Sequence, residues 1–354
     1  MPVNTSRTTY REHTDTENIL KLRQVLSTLP AFCKDYFRAI DSTTTTKTRI
    51  SYAYDIRIFF QFLLDENPVF KNYAMTDFSV AVLDQIKAVD LEEYMEYLKV
   101  YQNGDKTETN GERGLKRKIS ALRSFYAYYY KREMIHTNPT VLIDVPKIHD
   151  KSIIRLDTDE VALLLDYIEH CGDSLTGQKR VYYEKTKERD LAIVTLLLGT
   201  GIRVSECVGL DIEDVDFKNN GIKVTRKGGN EMVVYFGEEV EKALKRYLEI
   251  REGITPLAGH EHALFYSAQR KRMGVQAVEN MVKKYSRQIT TTKKITPHKL
   301  RSTYGTALYQ ETGDIYLVAD VLGHKDVNTT KKHYAALDDA RRRQAATAVR
   351  LRED

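Results

Sequence analysis

The amino-acid sequence predicts a mainly α-helical protein with one small β-sheet, organised as two domains. Apolar residues recur every three or four positions over most of its 354 residues, as in helices that bury one face. Two short β-branched or apolar runs flank Gly228–Gly229 and predict a single hairpin. A chain of this length holds about two or three domains, and a polar segment near residue 150 separates two regions of helical spacing.

Composition and charge limit the classes of function. Hydrophobic residues make up 42% of the chain, enough for real cores. No apolar run approaches the roughly 20 residues that a membrane span needs, and the polar N-terminus lacks a signal-peptide core. Three widely spaced cysteines do not form a metal knuckle. We therefore expect a cytoplasmic protein with no membrane contact. The net charge of +5 is only mildly basic, so the placement of basic residues matters more.

The first half of the chain predicts a helical domain over residues 16–145, after a flexible leader over residues 1–15. Apolar spacing predicts helices over 16–40, 48–65, 91–101 and 115–132. The polar stretch 104–114 predicts a loop. Residues 146–155 are short and polar, with one proline and two lysines, and predict an interdomain linker.

The helix predicted over residues 115–132 carries a basic face. Seven basic residues and no acidic one occur between Arg113 and Arg132. The face opposite the apolar one combines basic and small side chains: Lys116, Arg117, Ser120, Arg123, Ser124 and Lys131. Such a face suits a phosphate backbone or a major groove, although a solvated surface is the ordinary alternative. We expect DNA binding with steep salt dependence, weakened by substitution of Lys116 or Arg123 with little effect on folding.

The second half predicts a domain over residues 156–335, followed by a tail over residues 336–354. Asp157–Asp159 is a helix-capping pattern, and Gly199–Gly201 ends a strongly apolar helix. Residues 179–187 are highly charged and are predicted to form a loop. The tail has apolar residues at helical spacing beside a run of three arginines, which predicts an amphipathic helix. The remaining elements are two strands and two helices, over residues 222–225, 232–236, 238–250 and 276–289.

Side chains suited to phosphate chemistry are concentrated between residues 296 and 334. They are two imidazoles, one guanidinium and one phenol: His298, Arg301, His324 and Tyr334. Arginine presents planar, permanently charged donors to phosphate oxygens, and histidine can donate or accept at the same centre. No cysteine or carboxylate cluster accompanies them, so a metal site is not predicted. Each residue taken alone also fits an ordinary core or surface role.

Two further elements lie upstream of this stretch. Arg203 follows a glycine turn between two apolar helices, where burial is costly unless an anion meets the guanidinium. Glu206 lies three residues later and is placed to orient it on the same helix face, although a purely structural pair is the alternative. Lys227 lies in the glycine-rich hairpin turn, where an ammonium group either reaches a substrate or remains solvated.

Taken in order, these elements resemble the tyrosine site-specific recombinase (phage integrase) family. They comprise Gly201-x-Arg203-x-x-Glu206, the hairpin Lys227, His298-x-x-Arg301, Leu322–Gly323–His324, and Tyr334 after Thr329–Thr330. Within that family, KERDLAIVTLLLGTGIRVSE, VTRKGGN and ITPHKLRST resemble Xer-type recombinases, including the single-protein type of streptococci and lactococci. The resemblance implies an N-terminal helical core-binding (SAM-like) domain and a C-terminal α+β catalytic domain.

The resemblance also implies a reaction. Tyr334 would be the nucleophile, forming a 3′-phosphotyrosyl bond to DNA and releasing a 5′-hydroxyl. Lys227 would protonate the leaving oxygen as general acid. The reaction itself requires activating side chains, because a phenol with a pKa near ~10 needs a base or a strongly positive field to attack at neutral pH. The alkoxide that leaves needs a proton.

The remaining residue roles follow from the same resemblance. Arg203 and Arg301 would clamp the non-bridging oxygens of the scissile phosphate, and His298 and His324 would complete the cradle. Glu206 corresponds to the acidic position that supports the first arginine. Fixed donors of this kind stabilise the negative charge of a pentacoordinate phosphate. The covalent step conserves bond energy, so this chemistry requires no cofactor, neither a metal nor ATP.

The implied partners are double-stranded DNA with inverted-repeat sites, a homotetramer on two DNA duplexes, and an accessory DNA translocase or excision factor. Four copies would form C-shaped clamps and exchange strands through a Holliday junction, with the tail docked on a neighbouring protomer or packed on its own domain. Chromosome-dimer resolution is the expected role, at the nucleoid. Integration or excision of a phage or integrative conjugative element is the alternative, and a non-cutting regulator or a type IB topoisomerase is more distant. Tyr304, Tyr309 and Tyr316 are rival phenols, predicted to pack.

Overall fold

A computed structural model describes residues 9–147, 153–226, 229–324 and 326–327. The chain forms two compact units, Met1–Asp150 and Lys151–Asp354. The boundary between them falls inside residues 146–155, for which the sequence predicts a linker. Among the described residues, no helix is long and apolar enough to cross a membrane.

The first unit is a cluster of helices with one small hairpin. Its elements are α1 (Tyr10–Leu26), α2 (Cys33–Ala39), α3 (Thr46–Glu66), α4 (Val82–Gln85), α5 (Ala88–Tyr97), β1 (Val100–Asn103), β2 (Lys106–Thr109) and α6 (Glu112–Lys131). Phe59 and Phe60 of α3 are fully buried with Phe125 of α6. Phe125 also contacts Tyr36 of α2 edge-on, with 5.2 Å between ring centroids. Because aromatic rings bury large areas in such geometries, this cluster holds α6 firmly against α3.

Several segments of the first unit differ from the prediction. The helix predicted over 16–40 is divided into α1 and α2, and the helix predicted over 91–101 ends at Tyr97. The leader predicted over residues 1–15 is helical from Tyr10 onward, because Thr9 and Glu12 form a capping box. The backbone N–H of Thr9 donates to the Glu12 carboxylate at 2.7 Å. The loop predicted over 104–114 contains β2, which pairs antiparallel with β1. Gly104 has a φ of 62° in the connecting turn, and the Asn–Gly pair that favours such hairpins was visible in the sequence.

The second unit combines helices with a three-stranded sheet. Its elements are α7 (Thr158–His170), α8 (Gly177–Thr200), α9 (Val204–Gly209), β3 (Val215–Asp216), β4 (Gly221–Thr225), β5 (Glu231–Tyr235), α10 (Glu238–Glu252), α11 (Val275–Ile289), α12 (Pro297–Thr312) and α13 (Ile315–Leu322). The second half of α8 is buried nearly all round and packs against α7, α10 and α12. α8 is therefore the centre of this unit, and the predicted mainly α fold with a small sheet is confirmed.

The prediction of a loop over residues 179–187 is wrong, because these residues lie in the first half of α8. High charge suggested a loop, but lysine and glutamate are good helix formers, and Lys187 pairs with Glu184 at 3.3 Å. Tyr183 is buried, and its hydroxyl donates to the carbonyl oxygen of Ile168 in α7 at 3.0 Å. The charged turns of α8 are thereby attached to α7.

The sheet is antiparallel, in the order β3-β4-β5. The predicted hairpin is confirmed, and its register places Val224 opposite Met232. Ile222 and Val224 are buried, and Arg226, two residues beyond Val224, is buried as well. This follows from the two-residue period of a strand, which sends alternate side chains to one face. The backbone N–H of Arg226 donates to the carbonyl oxygen of Asn230 at 2.7 Å and closes the base of the turn.

A buried ion cluster connects α3 and α6 in the first unit. Asp55 and Lys118 are only 2% and 5% exposed, and 3.1 Å separates Lys118 Nζ from Asp55 Oδ1. Arg117 donates to the other carboxylate oxygen. Burial raises the pKa of Asp55 and lowers the pKa of Lys118, against the attraction between them. Desolvation therefore outweighs the mutual attraction, and the cluster depends on keeping every partner.

We predict that Asp55→Ala destabilises the protein by roughly 3–5 kcal/mol, because it leaves the Lys118 ammonium buried without its carboxylate. The double variant Asp55→Leu, Lys118→Met should recover much of that loss, since it removes both buried charges. Asp65→Ala, an exposed carboxylate of the same helix, should stay within about 0.5 kcal/mol of wild type. Urea unfolding followed by circular dichroism measures all three. Equal instability of the single and double variants would contradict the role assigned to the cluster.

Candidate active site

The candidate site begins where α8 ends. Gly201 caps the helix with a φ of 62°, a left-handed conformation that favours glycine. A Cβ at this position would lie 2.3 Å from Cδ1 of Tyr304 in α12 and 2.9 Å from Cδ2 of Leu322 in α13. Gly201 thus allows both the turn and the close approach of α12 and α13. The next helix, α9, starts from Arg203 as its N-cap residue.

Arg203 is held by Glu206, as the sequence predicts. Oε1 of Glu206 accepts from Nη1 of Arg203 at 2.8 Å, and Oε2 accepts from its backbone N–H at 2.8 Å. Glu206 is buried, whereas the Arg203 side chain is 36% exposed. Nη2 of Arg203 also donates to the carbonyl oxygen of Gly323 at 3.2 Å. The carboxylate therefore fixes one edge of a guanidinium that remains accessible to an anion.

Arg301 lies beside Arg203 at the same helix end. It projects from α12 and is only 4% exposed. Its guanidinium donates to the carbonyl oxygens of Gly201 and Leu322. Because Leu322 and Gly323 are adjacent, the guanidinium groups of Arg203 and Arg301 lie close together at the C-terminal end of α13. The negative end of a helix dipole favours such cations.

The two predicted histidines border this arginine pair. His298 is exposed in the first turn of α12, one turn before Arg301. His324 directly follows Gly323, which ends α13 in a left-handed conformation with a φ of 60°. The backbone N–H of His324 donates to the carbonyl oxygen of Ala319 at 2.8 Å. His298 thus lies on the helix that carries Arg301, and His324 follows the helix end to which Arg203 and Arg301 donate.

A third arginine reaches the same helix end and was missed by the sequence analysis. Arg226 is 8% exposed, and its Nη1 and Nη2 donate to the carbonyl oxygens of Leu322 and Val321 at 2.5 and 2.7 Å. The signal that could have found it is strand periodicity, because Ile222, Val224 and Arg226 share one face and the first two are apolar.

Two of the predicted catalytic residues, Lys227 and Tyr334, lie outside the described residues. The predicted tail over residues 336–354 also lies outside them. Their assignments therefore remain predictions. Among the residues that the structure does describe, no group of three or more His, Cys, Asp or Glu is placed to hold a metal ion.

The rival tyrosines occupy three different environments. Tyr304 is half-buried against Gly201, and burial raises its pKa. Tyr309 is buried, so packing explains both residues, as predicted. Tyr316 is 71% exposed on α13, and the packing role predicted for it is wrong. Its exposure follows from its place at the second residue of α13, on the side away from buried Val318 and Leu322.

The basic face predicted on α6 divides into two groups. Lys116, Ser120 and Lys131 are exposed and accessible to a partner. The other three side chains make contacts inside their own unit, although the Arg117 side chain remains 48% exposed. Arg117 pairs with Asp55, and Ser124 accepts a hydrogen bond from the Tyr36 hydroxyl at 2.9 Å.

Arg123 belongs to the second group, which corrects one expectation. Its Nε and Nη2 donate to the carbonyl oxygens of Thr140 and Ile143 at 3.1 and 2.7 Å. The arginine thus secures the segment that follows α6. Substitution of Arg123 should therefore affect folding, contrary to the sequence-based expectation, because buried carbonyl groups would lose their donors.

The described part of the site forms an anion cradle. It presents two guanidinium groups fixed by a carboxylate and by backbone carbonyls, and His298 and His324 lie on the adjoining segments of the chain. Donors that are fixed before a reaction begins stabilise developing negative charge without reorganisation. A phosphodiester whose oxygens gain charge in the transition state fits this chemistry, and paired arginines favour phosphate geometry.

Comparisons with known proteins point to one family. Residues 155–341 match the model of the phage integrase family. Tyrosine recombinase XerC of Caldanaerobacter subterraneus subsp. tengcongensis is 32% identical over 90% of this chain and 86% of its own length. Tyrosine recombinase XerS of Streptococcus uberis is 29% identical over 90% of this chain and 95% of its own. A crystal structure of XerH site-specific recombinase bound to palindromic difH substrate, a post-cleavage complex, superposes with a TM-score of 0.65 at 20% identity, over 98% of this chain and 90% of that one.

The fold and the cradle define an enzyme class that acts on the phosphodiester bonds of DNA. The chain belongs to the phage integrase family, the tyrosine recombinases, and the resemblance to Xer-type members is confirmed. It catalyses cleavage and rejoining of DNA strands. The chain shares its fold with that solved structure, and the described residues matched by the family model lie in the second unit.

Lys116 and Arg123 should respond differently to substitution. We predict that Arg123→Met costs about 1–3 kcal/mol of stability, because two carbonyl oxygens lose their donor. Lys116→Met should leave stability unchanged, weaken DNA binding for all sequences, and reduce the slope of log K against log salt by about 1. Urea unfolding and fluorescence anisotropy with a DNA duplex at several salt concentrations test the pair. A stability loss in Lys116→Met with unchanged DNA affinity would contradict the assignment.

Proposed function

We propose that this protein is an Xer-type recombinase that resolves chromosome dimers, cutting each strand through a 3′-phosphotyrosyl intermediate and exchanging strands through a Holliday junction. The observation that carries the proposal is the meeting of Arg203 and Arg301 at the end of α13, next to His324. The match to proteins named XerC and XerS over nine-tenths of the chain supports the Xer-type role.

Arg203 and Arg301 bind the two non-bridging oxygens of the scissile phosphate in this proposal. Glu206 keeps the first guanidinium oriented, since it accepts from both the side chain and the backbone of Arg203. His298 and His324 donate to the same phosphate from α12 and from the end of α13. Charge-assisted hydrogen bonds of this kind strengthen as the phosphorus becomes pentacoordinate.

Tyr334 and Lys227 perform the bond-making and bond-breaking step. The Tyr334 phenol gives its proton to solvent water as its oxygen attacks phosphorus, and the bond from phosphorus to the 5′ oxygen breaks. The Lys227 ammonium gives its proton to that oxygen, which departs as a 5′-hydroxyl. A general acid of this type contributes about 10²–10⁴ in rate. Attack by the 5′-hydroxyl of another strand on the phosphotyrosine reverses the step and rejoins DNA.

Four copies act together on two duplexes that carry inverted-repeat sites. The exposed residues Lys116, Ser120 and Lys131 bind the phosphate backbone, and the tail over residues 336–354 docks on a neighbouring protomer. An accessory DNA translocase or excision factor controls the order of events. The reaction takes place in the cytoplasm, at the nucleoid.

A nicked suicide duplex tests the nucleophile. With wild type we expect a slow-moving covalent protein–DNA band on a denaturing gel. The nick makes the fragment with the free 5′-hydroxyl short, so that it diffuses away before it can rejoin the strand and the covalent complex accumulates. Tyr334→Phe should bind the duplex equally well and give no band, since it removes only the attacking oxygen. A covalent band with both proteins would show that a tyrosine other than Tyr334 is the nucleophile.

The same assay separates the biological roles. A suicide duplex made from a chromosomal inverted repeat is compared with one made from the ends of a mobile element. Cleavage of the chromosomal repeat supports dimer resolution, and cleavage of element ends alone supports the integrase alternative. Specific binding without cleavage in wild type would favour a regulator.

Glu206→Gln tests the support of Arg203. We predict about a hundredfold slower cleavage, because a shift near 1 Å in a catalytic group costs roughly that much. DNA affinity should change little, since most of it comes from other phosphate contacts. Glu169→Gln is the matched control, because Glu169 pairs at 2.6 Å with a half-exposed arginine, Arg246, in the same unit. Equal cleavage rates for the two variants would contradict the role of Glu206.

A further inference from the structure

Three arginines of the second unit meet at the last turn of α13. Arg203 donates to the carbonyl oxygen of Gly323, and Arg301 donates to that of Leu322. Arg226 also donates to the carbonyl oxygen of Leu322, and it donates to that of Val321 as well. In the proposed chemistry Arg203 and Arg301 bind the phosphate, and Arg226 has no assigned role.

The burial of Arg226 is costly, so its contacts need an explanation. Desolvation lowers its pKa, although the Glu206 charge acts in the opposite direction. Among the residues that the structure describes, no carboxylate lies within ion-pair distance of Arg226, and its Nε is buried without a hydrogen-bond partner. The carbonyl oxygens of α13 and the negative end of its dipole stabilise the guanidinium instead. Through these hydrogen bonds, the buried Arg226 side chain links the end of β4 to the end of α13.

The elements that Arg226 connects both lead directly to candidate catalytic residues. On one side, its backbone N–H donates to Asn230 at 2.7 Å and its carbonyl oxygen accepts from Gly229 at 3.0 Å, so Arg226 closes the base of the hairpin. Lys227 is the next residue in the sequence. On the other side, the guanidinium lies against Gly323, the residue before His324.

The contact with Gly323 is tight. A Cβ built on Gly323 would lie 2.2 Å from Nη1 of Arg226, so only glycine leaves room for the guanidinium there. The same glycine has a φ of 60°, which ends α13 and directs the chain to His324. The hairpin base and the end of α13 are therefore joined through one buried side chain with little freedom to shift.

We propose that Arg226 is a positioning residue that fixes the base of the hairpin to the end of α13, and thereby holds Lys227 where it protonates the leaving 5′ oxygen. This inference rests on the proposed role of Lys227 as general acid. Arg226 touches neither the phosphate nor the leaving group in this account. Its loss should slow the step that needs the proton, and should leave phosphate binding by Arg203 and Arg301 in place.

A DNA substrate with sulfur at the 5′ bridging position distinguishes this role from a structural one. In the normal step the bond from phosphorus to oxygen breaks, and the oxygen takes a proton from Lys227. With sulfur the phosphorus–sulfur bond breaks instead, and the thiolate leaves without a proton because thiols are far more acidic than alcohols. A variant whose only defect is a misplaced general acid therefore recovers its cleavage rate on the sulfur substrate.

The variant Arg226→Lys keeps the positive charge and loses the two-pronged donor. We expect it to cleave the oxygen substrate about ten- to a hundredfold more slowly than wild type, and the sulfur substrate at nearly the wild-type rate. Arg251→Lys is the matched control, because Arg251 is also buried and donates to backbone carbonyl oxygens, those of Ala263 and Glu261. This control should show the same ratio of sulfur to oxygen rates as wild type.

The ratio of the two rates does not depend on how much of a variant is folded, so partial misfolding does not obscure the result. Arg226→Gln, a neutral variant, repeats the measurement in case the lysine variant yields too little folded protein. Lys227→Ala gives the reference, with a loss of about a hundredfold or more on oxygen and recovery on sulfur.

The outcomes separate this inference from the proposed function. The inference is supported if both Arg226 variants and Lys227→Ala recover their cleavage rates on the sulfur substrate. If Lys227→Ala recovers and the Arg226 variants remain equally slow on both substrates, Arg226 is structural and the inference is wrong. If Lys227→Ala does not recover, Lys227 is not the general acid, and the inference fails together with that assignment.

Discussion

The C-terminal end of α13 is the constraint on which the candidate active site depends. Its last carbonyl oxygens, from Val321, Leu322 and Gly323, accept hydrogen bonds from three guanidinium groups. These groups come from the start of α9, the end of β4 and the middle of α12, which are far apart in the sequence. A helix end exposes carbonyl groups that have no partner inside the helix. Three cations can therefore gather there although they repel one another.

Glycine makes this arrangement possible at two points. Gly201 and Gly323 both have left-handed φ values, and both lie in close contact with a side chain from another element. One ends α8 just before Arg203, and the other ends α13 just before His324. A side chain at either position would meet both strain and a clash. Each glycine therefore ends one helix and also sets the distance between the catalytic elements.

Much of this could be predicted from the sequence, and the failures have different causes. The helices, the hairpin and the Arg203–Glu206 pair followed from local spacing, because each depends on residues a few positions apart. Charge misled the prediction at residues 179–187, where one buried tyrosine attaches a charged helix to its neighbour. Arg123 and Arg226 were misjudged or missed because their partners are carbonyl oxygens, which one-dimensional patterns do not reveal. The hairpin after Asn103 carried a readable signal and was overlooked.

Contacts inside the first unit also limit how many of its basic side chains are accessible to DNA. A basic helix suggests a phosphate contact for each basic side chain, yet Lys118 and Arg123 use their donors inside the unit, and the half-exposed Arg117 pairs with Asp55. Counterion release depends on the cations that reach phosphates, so the exposed side chains alone set the salt dependence. Arg123 instead ties the helix that presents those exposed residues to the segment that follows it. In both units, then, buried basic side chains hold the scaffold, and only the geometry separates them from the basic side chains that are accessible to a partner.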